Sequence, residues 1–310
     1  MVTEKFENYI SKGLVIVPMM ILFSVTVFPF FFMLIISFFN VRSYNLNNNW
    51  EFVGLENYYN IFSDLENTKA IVNTITYIIY SLSIEIILGL IISVLIFRIS
   101  QKFRGFFLTS FLLPLLLAPI VVGMIWKQMF WYSGGLLNKI LNSLGLAPNV
   151  WLSTQTIIGE PGTIFQYLNF TSGFFSLILI EIWQWTPLFI FGFLVSFVLV
   201  KKEIVNLAMI DGASQFKVIR YIYIPLAKPL LLGIILLRIM DMLKVYETIW
   251  VLFGNSMQFA NINLRLVEVG INIRNYSYCA AFSVIVFIVV FLILVMGSRL
   301  INYVGKLYYD

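Results

Sequence analysis

Of the chain's 310 residues, 60% are hydrophobic and only 11% charged, whereas soluble globular chains run near about 45–50% and about 25%. With a mean hydropathy of +0.92, it cannot be a soluble enzyme, a disordered segment or a nucleic-acid-binding protein, and its environment is a lipid bilayer. The absence of histidine and a single cysteine, Cys279, exclude an intrachain disulfide, a His-based metal site and a His-containing catalytic triad.

Apolar runs of the length a membrane helix needs, about 20 residues, fall at 13–39, 71–97, 106–131, 173–200, 227–252 and 277–303. They predict an all-α membrane protein with six transmembrane helices. The first run is too long for a signal-peptide core of about 7–15 residues, and no small-x-small cleavage site follows it. Stretches such as 84–96 are continuously apolar, whereas the strands of a membrane barrel alternate. Pro114 and Pro119 in the third run predict a kink there.

Orientation follows from the positive charges. With the amino terminus inside, twelve face the cytoplasm: Lys5, Lys12, Arg98, Lys102, Arg104, Lys201, Lys202, Lys217, Arg220, Lys228, Arg299 and Lys306. Six face outward, and Arg238 and Lys244 fall within a span. Both termini are therefore expected in the cytoplasm, and the net charge of +5 needs no anionic ligand. Residues 40–70, with Asn47, Asn48 and Asn49, and residues 132–172, with Pro148 and Pro161, become extracytoplasmic loops. Residues 201–226 form the main cytoplasmic loop. No tandem repeat interrupts the chain, so 1–310 reads as one membrane domain.

Within that inner loop, Ile204, Leu207 and Ala208 sit at helical spacing. Asp211-Gly212 signals a turn, and Pro225 and Pro229 punctuate the approach to the fifth span. The pattern predicts a short amphipathic helix, a bend and a second short helix. Composition alone favours a plain connector lying on the membrane surface.

The order of residues from Glu203 through IDGASQFKVIRYIYIPLAKP to Pro229 resembles the cytoplasmic "EAA" loop of ABC importer permeases. The run Phe52-Val53-Gly54-Leu55-Glu56-Asn57-Tyr58 is similar to an outer-loop motif of the carbohydrate-uptake branch. Leu113-Pro114, Pro119, Trp126, Gly135-Leu136-Leu137-Asn138, Trp183 and Pro187 also stand in that family's order. The short amino terminus, six spans and long second outer loop resemble the maltose-type first permease. The resemblance implies a type I importer permease of a bacterial or archaeal cytoplasmic membrane. It implies a second homologous permease, two ATP-binding subunits that carry ATP and Mg, and an extracytoplasmic solute-binding protein. Glu203, Asn206, Ala208, Asp211, Gly212, Ala213 and Phe216 would then meet the ATPase as coupling helices. Relatives carry sugars, oligosaccharides, polyols or glycerol phosphates. Two departures stand out: Asn206-Leu207-Ala208 replaces the family's Glu-Ala-Ala, and Gly254-Asn255-Ser256-Met257 replaces its Gly-rich segment.

Ionisable residues inside spans are costly and default to functional candidates. Arg238, Asp241, Lys244 and Glu247 follow one another at i+3, and each step turns a helix by about −60°. Either they neutralise one another along the helix, or Arg238 and Asp241, with Lys244 and Tyr246, line a substrate pathway. Glu85 and Glu181 have no neighbour in sequence, so Arg238, Lys244 or a partner subunit must face them. Glu181 opens Glu-Ile-Trp183-Gln184-Trp185-Thr186-Pro187, where rings beside an amide suit a polyhydroxylated solute. Packing in an interfacial aromatic belt is the favoured reading for Trp183 and Trp185 themselves.

No enzyme or cofactor motif is present. Gly305-Lys306 is followed by Leu307 and lacks the upstream glycine of a phosphate loop. An ion-coupled secondary transporter using the intramembrane carboxylates is the alternative, although it leaves the inner-loop pattern as coincidence. A non-transporting scaffold leaves the charged fifth span unexplained.

Overall fold

The computed structural model describes residues 2–46, 50–154 and 171–309. Asn47, Asn48, Asn49 and Pro161 lie outside the described residues. Along the chain run α1 (Val2–Ile36), β1 (Phe39–Asn40), β2 (Glu51–Phe52), α2 (Glu56–Ser63) and α3 (Leu65–Arg98). There follow α4 (Gln101–Leu116), α5 (Pro119–Met129), α6 (Leu136–Ser143) and α7 (Ser172–Leu199). The inner loop gives α8 (Lys202–Ile210) and α9 (Gln215–Val218), which continues through a π-helical turn, Ile219–Tyr223, into α10 (Ile224–Leu243). The chain closes with α11 (Glu247–Phe253), α12 (Ile262–Val267), a second π turn and α13 (Tyr276–Tyr309). The two-residue strands are the one departure from an all-helical reading among the described residues.

Five helices are long and apolar enough to span, and a sixth span arises if α4 and α5 count as one. The expected third span is not one helix. Its two halves are bent by 98°, with Leu117 and Ala118 extended between them. Pro119 is the cause, because its ring drives the preceding residue out of the α region. Pro114 stays inside α4. The expected fifth span, 227–252, is also corrected: the helical rod begins at Gln215 and stops at Leu243, and α11 is separate.

The chain divides into two compact units. The first combines residues 1–65 with 266–289. In it, Asn57 Nδ2 donates to the Ser37 and Phe39 carbonyls, holding α2 against the hairpin. Ser277 Oγ accepts from the Val41 amide at 3.1 Å, and Phe30 packs on Phe287.

The second unit, residues 66–265 with 290–310, holds most of the candidate residues. Its pillar is α7, whose most apolar stretch is more than half buried, against less than a quarter for the other spans. One side of α7 meets α3 at Gly89, where a Cβ would stand 2.5 Å from Phe189 Cβ. Small residues at such crossings let helix backbones approach. Phe189, Phe193 and Phe197 of α7 pack with Ala227 and Leu231 of α10.

Backbone freed by the two breaks is satisfied by side chains, as a water-poor interior requires. Gln184 Nε2 donates to the freed Leu117 carbonyl at 3.0 Å, and Thr248 Oγ1 ties α11 to the start of α5 by donating to the Pro119 carbonyl at 3.3 Å. At the second break, Asn263 Nδ2 donates to the Lys244 carbonyl at 2.9 Å and Asn261 Nδ2 to that of Val245 at 2.5 Å.

Gly89→Val should lower the thermal unfolding midpoint of the detergent-purified chain, because overpacking a tight contact costs about 1–3 kcal/mol. Circular dichroism melts of the variant and parent check this, and identical midpoints contradict the crossing.

Candidate functional site

Three of the polar residues picked out within the spans meet in the interior. Arg238 of α10 is 1% exposed, Glu85 of α3 0% and Glu181 of α7 3%. Arg238 Nη2 donates to Glu181 Oε1 at 2.5 Å. Its Nε and Nη2 also approach the two Glu85 oxygens at 3.4 and 3.3 Å, a side-by-side fork. The guanidinium carbon lies 4.3 Å from the centre of the Trp185 ring, a cation–π geometry. Arg238 therefore pairs across helices and not with Asp241 along its own helix. Of the partners open to Glu85 and Glu181, Arg238 is the one found.

The α3 residues leading to the triad form one stripe. Asn73, Tyr77, Ser81, Glu85, Gly89 and Ser93 recur every fourth position, and all are buried. Polar and small residues at i+4 in an apolar helix mark its protein-facing side. That periodicity is written in the sequence, and it suffices to put Glu85 on the protein-facing side of α3.

Beside the triad lies a cavity of about 300 Å³. Its walls are Glu181, Gln184 and Trp185 from α7, with Arg238, Asp241 and Lys244 from the end of α10. Pro119, Val245, Glu247 and Thr248 complete it from the two breaks. Trp183 and Tyr246 do not line it. Trp183 turns its ring to Trp126 at 5.7 Å, edge to face, and Tyr246 packs against the apolar core as the residue before α11. Glu85 sits behind Arg238 and is not a wall residue. Pro119, Val245 and Thr248 were not anticipated, since only the folded breaks bring them to one place. Asp241, Lys244 and Glu247 are exposed and, among the described residues, join no ion pair.

The inner loop folds as helix, turn and short helix. Gly212 adopts φ +82, the Ala213 amide donates to the Ala208 carbonyl and that of Gly212 to Met209. These paired bonds form a Schellman stop, which favours glycine at this position. Ser214 then caps α9 by accepting from the Lys217 amide. On α8, Val205 and Ala208 are half-covered, while Ile204 and Leu207 are exposed. Ile210 and Phe216 are 79% and 68% exposed, and Glu203, Asn206, Asp211 and Gly212 are exposed as well.

Residues 85–305 match the family model described as "Binding-protein-dependent transport system inner membrane component". The chain belongs to this family. It is 32% identical over 240 residues to the trehalose/maltose transport system permease protein MalF of Thermococcus litoralis, covering 77% of this chain and 76% of that one. The arabinooligosaccharides transport system permease protein AraP of Bacillus subtilis is 28% identical over 254 residues, covering 80% and 76%. The fold matches a chain of a bacterial ABC transporter involved in the import of the acidic polysaccharide alginate. The TM-score is 0.76 at 18% identity, over 97% of this chain and 98% of that one. The protein is thus a multi-pass permease subunit of a binding-protein-dependent ABC importer, a non-catalytic membrane component whose ATP is hydrolysed by partner subunits. An ion-coupled carrier is set aside, and the carboxylates that suggested it are engaged by Arg238.

Removing the cation of a buried ion pair strands its partners, which costs about 3–5 kcal/mol. Arg238→Leu should therefore destabilise the chain far more than Glu85→Gln, which leaves Arg238 paired with Glu181. Adding Glu85→Gln and Glu181→Gln to Arg238→Leu should recover part of the loss. Melting the four proteins in detergent measures the coupling, and an additive result contradicts it.

Proposed function

We propose that the cavity between the two helix breaks is this permease's share of the path of a sugar or short oligosaccharide. The observation that carries this reading is its wall. Amide, carboxylate and ammonium groups from Gln184, Asp241, Lys244 and Glu247 stand beside the Trp185 ring. Hydroxyl-rich solutes bind through such hydrogen bonds together with stacking on an aromatic face. One face of Trp185 is taken by Arg238, and a sugar ring would stack on the other. The names of the trehalose/maltose and arabinooligosaccharide relatives support the same class.

The chain pairs with a second, homologous permease and two ATP-binding subunits, and takes solute from an extracytoplasmic binding protein. Both termini lie in the cytoplasm, as the Lys/Arg asymmetry favours. Residues 203–216 dock on an ATP-binding subunit. The exposed apolar side chains of Leu207, Ile210 and Phe216 support this, because such a patch on a turn-stiffened loop suits an interface. Closure of the ATPases pushes on this knob, and the helical rod from Gln215 to Leu243 carries the movement to the cavity.

Gly212→Pro cannot adopt φ +82. In the transporter reconstituted with its partners, it should cut ATP-driven uptake by about tenfold or more, with assembly retained. Unchanged uptake would sink the coupling role of the loop. Asp241→Asn should change the stimulation of ATP hydrolysis by loaded binding protein without lowering the melting temperature. No change across a panel of neutral oligosaccharides would remove Asp241 from the solute path.

A further inference from the structure

A second groove lies on the outside of the helix bundle, between α4 and α7, away from the cavity described above. It has a volume of about 300 Å³ and is lined by Leu108, Phe191, Leu194, Val195 and Val198, with Arg104 closing one end. Apart from Arg104, these are all apolar side chains. Val195 and Val198 are 51% and 66% exposed, as lipid-facing residues are.

Arg104 is held in place but not neutralised. Its Nη2 donates to the Phe97 carbonyl at 2.7 Å, and its guanidinium sits 5.4 Å from the Phe97 ring. Its Nε is buried with no hydrogen-bond partner among the described residues, a costly state if nothing accepts from it. Among the described residues no carboxylate pairs with it. None is near in sequence either: no Asp or Glu occurs from 86 to 159 or from 182 to 202. Arg98, Lys102 and Arg104 thus concentrate three positive charges at the turn between α3 and α4.

We propose that this groove holds an anionic phospholipid, with an acyl chain along α7 and the phosphate on Arg104. A soluble anion would satisfy the guanidinium fork, but it would leave the apolar groove open. A neutral amphiphile would fill the groove but leave Arg104 without its acceptor. A phosphodiester on a hydrocarbon chain answers both, since guanidinium matches phosphate in a bidentate fork. The site is at the ends of α3 and α7 and the start of α4, where helices meet headgroups, and basic pockets between spans at that depth select anionic lipids. Lipid binding here does not depend on the solute path, so its test reads lipid retention and not uptake.

The full chain is purified, delipidated in detergent and titrated with phosphatidylglycerol or phosphatidylcholine of identical acyl chains, with bound lipid counted by native mass spectrometry. Phosphatidylglycerol should be retained preferentially by about fivefold or more. Arg104→Gln should abolish the preference, Arg104→Lys should keep part of it, and Val195→Trp should displace the lipid with Arg104 intact. If Arg104→Gln fails to fold, the lysine and tryptophan variants decide the matter. Equal retention of the two lipids, or variants indistinguishable from the parent, would overturn the proposal. So would displacement of phosphatidylglycerol by millimolar inorganic phosphate, which would make the site one for a free anion. Loss of the bound lipid when the chain is assembled with its partner subunits would make the groove a protein interface and overturn it too.

Discussion

A guanidinium held by two carboxylates inside an apolar chain is the constraint on which the second unit depends. Glu85, Glu181 and Arg238 come from three helices, and each is almost wholly buried. Desolvating such groups is expensive, and their attraction offsets the cost only when the geometry is satisfied throughout. No one of α3, α7 and α10 can then slide without stranding a charge on another. The Gly89–Phe189 contact enforces the same registry sterically, one turn along α3. Trp185 packs its ring on the guanidinium, and both line the cavity.

Against that fixed wall, two helices are interrupted. A membrane helix satisfies its own backbone, so each interruption needs donors from elsewhere. Gln184 supplies one at the first break, Thr248 fastens α11 to the start of α5 beside it, and both are also walls of the cavity. Asn261 and Asn263 supply them at the second. The cavity exists because the helices stop there, and its polar lining is partly the apparatus that lets them stop. The rod from Gln215 to Leu243, about 43 Å if wholly α-helical, ends at this second break. Its other end abuts the turn made by Gly212.

Much of this is legible in the amino-acid order. Composition and run length identify a membrane chain, the residues of the inner loop point to the family, and Asp211-Gly212 marks a turn that the backbone confirms. Glu85, Glu181 and Arg238 are each conspicuous as charges in apolar runs. Their meeting is not legible, because pairing between helices 57 and 153 residues apart depends on packing. The break after Leu243 is hidden for a different reason. Val245 and Tyr246 carry no glycine or proline signal, and the asparagines that stabilise the opened carbonyls lie 16 and 19 residues downstream. The break before Pro119 does carry its signal, although a kink and a 98° turn read alike in sequence. The spacing of apolar residues in α8 gives a period but not which side is covered. Val205 and Ala208, not Ile204 and Leu207, turn toward the neighbouring helices.

The division of labour among the cavity residues bears on how such a permease changes its solute. Gln184 cannot be altered without uncapping a broken helix, Thr248 without loosening α11 from the start of α5, and Arg238 and Glu181 without stranding buried charge. A substitution at any of the four therefore mixes stability with selectivity. Asp241, Lys244 and Glu247 are different. They are exposed, they join no ion pair among the described residues, and they flank the point where α10 ends. Changes there alter the charge and hydrogen-bonding pattern of the cavity wall at little cost in folding. On the solute path proposed above, selection for a new solute would therefore meet least resistance at the mouth of the broken helix, while the triad behind it stays as it is.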